Sequence, residues 1–482
     1  MEESSTIVEE TPKRNKFIQN FIVVLISNGL TILSGILVGF IIPKIMGVTD
    51  YGYYKTFTLY SSYIGLFHFG FIDGIYLYFA GREYKDLDKA KFKTYTRFLF
   101  MIELGVTIFV SLLALCFIGT GSMLIFLFVA LNVLAINITT YFEFISQITM
   151  RFKQLSIRSI IKCSATALSV VALFLLYKYS NYVVNYQIYI AIVLGINYIL
   201  AIWYMITYRE LVFGKANPLK EEWPAIRQFF KVGVPLLLAN LIAQLVFVID
   251  QQFVNLLFSK EDYATYAFAY NMVNLITVAT GAVSTVLYPT LKRMNPETIK
   301  NHYARINSYL MIFVFFCLVI YYPLDLFVRY FLKDYISSLN IFRIILPGLA
   351  ISSSISVIKY NCYKTFGKVN NYFFKSLAVL ILSIIANLIA YFLFKSMQAI
   401  SIVSLGVLLI WYILVESYFI KGYKVSWLRN FFYLIVMIAA FYGISFIPNV
   451  YVACGVYIAS WMAITGIMFC DYVKKLLCKL KK

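Results

Sequence analysis

Apolar runs of about twenty residues, each closed by a cluster of charged or turn-forming residues, recur from one end of the chain to the other. Twenty residues of helix cover ~30 Å, the hydrocarbon thickness of a bilayer. The pattern predicts fourteen spans, near residues 17–42, 56–80, 97–119, 122–147, 157–178, 184–208, 229–257, 263–290, 304–323, 338–360, 372–395, 399–420, 430–447 and 450–472. The expected fold class is an all-α polytopic membrane protein. An even number of spans puts both termini on one side. The stretch Lys44–Phe57, rich in Gly and Tyr, interrupts the first apolar run and is expected to form an external turn.

Charge fixes the expected orientation. If the N-terminal tail is cytoplasmic, the external side keeps only Lys44, Lys55, Lys178, Lys260, Arg329, Lys333, Arg343 and Lys395, which leaves 34 of the 42 basic residues on the cytoplasmic side. Every cytoplasmic cluster is at least as rich as every external one, the distribution that orients a membrane protein. The net charge of +20 therefore reflects topology, and no nucleic-acid partner is expected. The polar, acidic first sixteen residues do not read as a cleaved signal peptide.

Compared with itself, the chain shows a repeat at an offset of 212 residues. Asp50, Tyr51 and Tyr54 match Asp262, Tyr263 and Tyr266, and Asn28 matches Asn240. In each half the Asn precedes the Asp-Tyr pair by 22 positions, or ~33 Å of helix. The expected organisation is a cytoplasmic tail (1–16), an N-lobe of six spans (17–210), a linker (211–228), a C-lobe of six spans (229–420), two further spans (430–472) and a basic tail (473–482). Parallel repeats of this kind give two lobes related by a pseudo-two-fold axis along the membrane normal.

Polar side chains inside such spans are functional candidates. In the seventh span Asn240, Gln244, Gln251 and Asn255 fall within about 60° of arc at ~100° per residue, a stripe that reads as a cavity lining or as interhelical hydrogen bonding. Asn20, Ser27, Thr31 and Ser34 form a weaker analogue in the first span. Asp73, Glu103, Glu143 and Asp250 are the intramembrane acids noted. Glu103 and Glu143 read as partners of Arg97 or Arg151, while Asp73, Asp250 and Glu143 are coupling-ion candidates for H⁺ or Na⁺. Arg343 stands on the side where a basic residue does not serve orientation, and Lys359, Lys162 and Arg305 lie near cytoplasmic ends. Such cations suit an anionic cargo, or snorkel to lipid headgroups.

Several classes drop out. There is no phosphate-binding G-x-x-x-x-G-K-[ST] loop for ATP-driven transport and no H-E-x-x-H or nucleophile-elbow motif, so no enzyme is expected. Seven cysteines without CxxC spacing and only two histidines point to no metal or other cofactor. The composition agrees: 61% hydrophobic, 13% charged and a mean hydropathy of +0.80.

The stretch from Ser27 to Gly74, with Pro43 closing the first span, "DYGYY" at Asp50–Tyr54, and Gly70 and Gly74 late in the second, resembles the polysaccharide repeat-unit flippases (Wzx-type, O-antigen or capsule) of the multidrug/oligosaccharidyl-lipid/polysaccharide exporter superfamily. The basic "RFKQLSIRSIIK" at Arg151–Lys162 fits as well. The resemblance implies a flippase that carries undecaprenyl-diphosphate-linked oligosaccharide across the bacterial inner membrane by alternating access, coupled to H⁺ or Na⁺. It also implies a cavity lined by spans 1, 2, 7 and 8. That would bring Asn28, Asn240, Gln244, Gln251, Asn255, Asn271, Asn274, Asp73 and Asp250 to the pathway, with Arg343 and Lys359 as cationic contacts. Expected partners are the lipid-linked oligosaccharide, membrane lipids, and a polysaccharide polymerase and chain-length regulator. Some lipid-II-type relatives use arginines in spans 1, 2 and 8, where this chain offers only Lys44 and Lys55. The competing readings are a multidrug antiporter of the same superfamily, which favours an acidic cavity, and a membrane O-acetyltransferase or polymerase, which normally needs a larger external loop.

Overall fold

A computed structural model of the chain describes residues 10–118, 122–180, 182–423 and 427–480, and these are almost entirely helical. They fall into two compact units, Met1–Leu241 and Ile242–Lys482.

The first unit contains α1 (Glu10–Ile45), α2 (Val48–Ser61), α3 (Phe71–Phe79), α4 (Lys89–Ala114), α5 (Met123–Ile148), α6 (Phe152–Ser180), α7 (Tyr186–Thr207), α8 (Arg209–Val212) and the start of α9 (Leu219–Leu257). The second contains the end of α9, α10 (Lys260–Arg293), α11 (Pro296–Cys317), α12 (Tyr321–Phe331), α13 (Ser338–Ile345), α14 (Gly348–Ser353), α15 (Tyr360–Thr365), α16 (Val369–Phe394), α17 (Met397–Tyr423), α18 (Leu428–Ile444) and α19 (Val450–Leu480). Among the described residues nine helices are long and apolar enough to cross a membrane, ten if the bent pair α13 and Gly348–Thr365 is one span, and two shorter apolar helices accompany them. The chain is a multi-pass membrane protein.

Two expectations about the first hundred residues need correcting. The stretch Lys44–Phe57 is mostly helix and not the expected turn: only Met46 and Gly47 separate α1, which runs to Ile45, from α2, which starts at Val48. Tyr51, Gly52 and Tyr54 are buried on α2, where the Tyr54 ring meets Tyr189 of α7 edge-on at 5.0 Å. Tyrosine can bury its ring while its hydroxyl takes a polar partner, so these polar letters read as loop but pack as core. The second span is not one helix either. It is broken between α2 and α3 by a 3-10 turn at Ile64–Leu66, and the chain re-enters helix through left-handed Gly70, φ 78°.

The break serves a close helix crossing. Around Gly70, Gly74 and Gly233 the backbones of α3 and α9 touch directly: a Cβ on Gly70 would lie 2.6 Å from the Gly233 carbonyl carbon. A ring of aromatics closes the crossing, with Phe71, Phe79 and Tyr95 all against Phe229. The segment before α9 is tied to the same core, since Tyr95 OH donates to Glu222 Oε2 at 2.8 Å and Asn217 Nδ2 donates to Glu222 Oε1 at 2.8 Å.

The repeat extends to the element boundaries. α1 and α9 end at Ile45 and Leu257, and α2 and α10 begin at Val48 and Lys260, each pair 212 apart. Packing partners correspond too: α2 with α5 matches α10 with α13, and α5 with α7 matches α13 with α17. One member differs. At this offset the continuous α5 corresponds to residues 335–360, which are divided into α13, α14 and a π-helical turn, Ser354–Lys359, leading into α15. Pro347, which can neither donate a backbone hydrogen bond nor tolerate the preceding turn, stands at the first division, where the chain bends by 43°.

Candidate functional site

Within the second unit, α9, α10, α13, α14, the π-turn and α17 enclose a cavity of about 340 Å³. Its polar lining includes Gln251 on α9, Asn274 and Thr277 on α10, Ser352 before the π-turn, Ser356 within it, and Ser404 on α17, and side chains such as Phe247, Leu405 and Leu408 add apolar surface. Among the described residues none that lines it is charged. Hydroxyls and amides over an apolar floor suit the hydrogen-bonding edges and flat faces of sugars or other neutral polar groups.

Asp250 does not face this space but organises it. The carboxylate is buried, accepting from Gln251 N at 2.7 Å and Tyr266 OH at 2.8 Å, and from Tyr270 OH. Tyr270 in turn lines the cavity. Neutral donors thus hold Asp250 on three sides, which compensates a buried carboxylate without a cation.

The seventh-span stripe divides among three environments. Asn240 and Gln244 are exposed, Gln251 lines the cavity, and Asn255 is buried with its Oδ1 accepting from Lys260 Nζ at 2.9 Å. Asn274 is exposed at the cavity and Asn271 half-buried beside it on α10. The side chains of Asn28 and Asn20 lie outside the described residues.

In the first unit, Asp73 sits on the first turn of α3 with its Oδ2 3.8 Å from His68 Nε2, while His68 Nδ1 accepts from Gly70 N at 3.2 Å. Glu103 is not a partner of Arg97. It is buried and accepts from Asn137 Nδ2 at 2.7 Å, whereas Arg97 donates to the Gly214 carbonyl. Arg151 is likewise taken, its guanidinium 3.7 Å from the Tyr84 ring centre. Glu143 is half-buried on α5, within electrostatic reach of Lys162 and Arg158.

In the second unit Arg343 donates to Tyr321 OH at 3.3 Å and covers the Phe446 ring. It borders a small cleft of about 130 Å³ with Arg329, itself paired to Asp325 at 2.6 Å.

Lys359 neither snorkels nor faces the cavity. It is fully buried, its Nζ 3.0 Å from Glu416 Oε2 on α17. Glu416 precedes Lys421 by little more than a turn, so in the sequence it reads as part of the loop charge that follows. The Ser352–Ser356 run is likewise inconspicuous. Its only signal is four serines in "SSSIS" inside an apolar span.

A family model described as "Polysaccharide biosynthesis protein" matches residues 17–295, more than half of the chain. The chain belongs to the polysaccharide biosynthesis protein family. Among solved structures it is similar to "Lipid II flippase MurJ, inward closed conformation", at 14% identity and a TM-score of 0.67, covering 95% of this chain and 100% of that one. At that identity the likeness concerns the fold, and it accords with an all-α multi-pass architecture for this member of the polysaccharide biosynthesis family. No curated protein sequence matches.

Proposed function

We propose that the protein is a flippase for lipid-linked oligosaccharide, moving undecaprenyl-diphosphate-linked repeat units from the cytoplasmic to the outer leaflet of the bacterial inner membrane by alternating access. The observation that carries this reading is membership of the polysaccharide biosynthesis family over residues 17–295 in a multi-pass helical chain. The hydroxyl-rich cavity at Gln251, Asn274 and Ser356 supports it against the multidrug antiporter: among the described residues none lining that cavity is acidic, so they offer a cationic drug no counter-charge. On this reading the protein is a transporter and not an enzyme, coupling is to H⁺ or Na⁺, both termini are cytoplasmic, and Asn240 and Gln244 face the sugar pathway. The polymerase and chain-length regulator are the partners on the far side of the transport step.

Deleting the protein and following the lipid-linked oligosaccharide tests this. Units should accumulate on the cytoplasmic face while surface polymer disappears. Normal surface polysaccharide with altered drug sensitivity would instead establish the antiporter.

A further inference from the structure

The pair Lys359–Glu416 is set in a closed network drawn from three helical segments. Lys359 Nζ donates to Glu416 Oε2 at 3.0 Å and to Ser354 Oγ at 2.6 Å, and lies 3.7 Å from the centre of the Tyr412 ring. Tyr303 OH on α11 donates to the same Oε2 at 2.9 Å. Ser354 Oγ donates to Asn307 Oδ1 at 2.6 Å, and Asn307 Nδ2 donates to Tyr412 OH at 3.3 Å. The two charged side chains are 0% and 1% exposed. The other titratable groups facing them include Tyr303 from α11, Cys362 and Tyr363 from α15 and Tyr412 from α17, while Lys375 of α16 reaches Tyr363 OH and Ser417, the residue after Glu416.

Such a pair is not needed to build this helix arrangement. At the 212-residue offset Lys359 and Glu416 correspond to Gln147 on α5 and Tyr204 on α7, and the first unit packs those two helices together without an ion pair there. A buried ion pair returns little net stability relative to an apolar or neutral pair, so its presence in only one of two equivalent places calls for a use.

Its position supplies one. The segment that carries Lys359 is the π-helical turn Ser354–Lys359, whose Ser356 lines the cavity together with Ser352 and Ser353 just before it. A π-turn holds one residue more than an α-turn, and giving up that extra residue rotates the flanking helix by ~100°. One such register shift would turn the ammonium off Glu416, on a segment whose Ser356 already borders the cavity. Glu416, buried and stripped of its counter-charge, must then be neutralised. An anion in the cavity balances the ammonium, and a proton from water balances the carboxylate.

We propose that Lys359 and Glu416 form a proton–anion exchange site, in which an anionic phosphate group in the adjacent cavity takes Lys359 while Glu416 takes up one proton. The charges of the pair close: the ammonium exchanges the carboxylate for one negative charge of the phosphate group, the proton neutralises the carboxylate, and any further charge on the anion is the anion's own. That the phosphate is the diphosphate of a lipid-linked sugar rests on the flippase reading above.

The test uses the full-length protein in lipid nanodiscs, with a short-chain polyprenyl diphosphate and inorganic diphosphate as separate probes. Proton uptake is followed with an indicator dye in weak buffer, and Glu416 by the infrared band of a protonated carboxyl group. Wild-type protein should take up one proton per anion bound, so affinity should rise about tenfold per unit fall in pH. Glu416→Gln should bind without proton uptake and lose both the pH dependence and the infrared band. The net-neutral double variant Lys359→Met/Glu416→Gln keeps the site free of an uncompensated charge and controls for folding; it should bind neither probe. Anion binding with no proton uptake, or uptake unchanged in Glu416→Gln, overturns the exchange site and leaves the flippase reading standing. Uptake driven by inorganic diphosphate but not by the polyprenyl form upholds the exchange site and removes the flippase reading.

Discussion

Gly70 and Gly233 face each other backbone to backbone, with no space for a side chain on either. The consequence is local and measurable. Gly233→Ala puts a methyl against the Gly70 carbonyl, and Gly74→Ala puts one against the Phe229 backbone, neither of which can swing aside. Each should cost about 1–3 kcal/mol by overpacking and lower the unfolding temperature of detergent-solubilised protein. Gly105→Ala and Gly195→Ala, with nothing within 4 Å, should be neutral or stabilising by up to about 1 kcal/mol. Equal stability of the two sets would show that the crossing can open at little cost.

Asp250 anchors two tyrosine hydroxyls at once. Asp250→Ala leaves buried hydroxyls without an acceptor and should destabilise by about 1–3 kcal/mol. Asp250→Asn retains a carbonyl acceptor and should cost clearly less, as read by thermal unfolding. If Asn proves as damaging as Ala, the negative charge and not the hydrogen bonding is what this position supplies.

Accessibility along α9 should follow its faces. In a background free of native cysteines, Asn240→Cys and Gln244→Cys should react with a membrane-impermeant thiol reagent, while Ile242→Cys and Val246→Cys, 8% and 6% exposed, should not. Asn255→Cys should also stay unlabelled, because that position is 5% exposed. Labelling at 255 comparable to 244 would mean that the polar stripe is wetted along its whole length.

Tyr84 is held between two cations, with Lys89 Nζ 3.5 Å and the Arg151 guanidinium 3.7 Å from its ring centre. Tyr84→Phe keeps both contacts and should change stability little, whereas Tyr84→Ala should cost about 1–2 kcal/mol. Equivalent unfolding temperatures for the two variants would assign the loss to the hydroxyl and its weak 3.5 Å contact with Glu210.

The helices and the repeat were legible because both are written locally, in apolar run length and in a marker that recurs at a fixed spacing. What could not be read depends on distant partners. Glu103 looks like a match for Arg97 one and a half turns away, yet its partner is Asn137, 34 residues on. Glu416 is hidden by its neighbourhood: an acid close to Lys421 resembles boundary charge, and only packing against Tyr303 and Lys359 removes it from water. Tyr51 and Tyr54 misled in the opposite direction, since a cluster of tyrosines, an acid and glycines has the composition of a turn even when its rings are buried. The cavity was half visible. Gln251 and Asn274 stood out, but serine is common enough in membrane helices that Ser352, Ser353 and Ser356 carried no warning.

The unequal fate of two matching helices bears on how the halves have diverged. α5 is a single rod of 26 residues, while its counterpart is cut by Pro347 and loosened by the turn at Ser354–Lys359. A copied structural member that stays straight in one half acts as a strut. The same member, jointed in the other, acts as a lever. The two halves thus carry their breaks in different members, at Ile64–Gly70 in the first and at Pro347–Lys359 in the second.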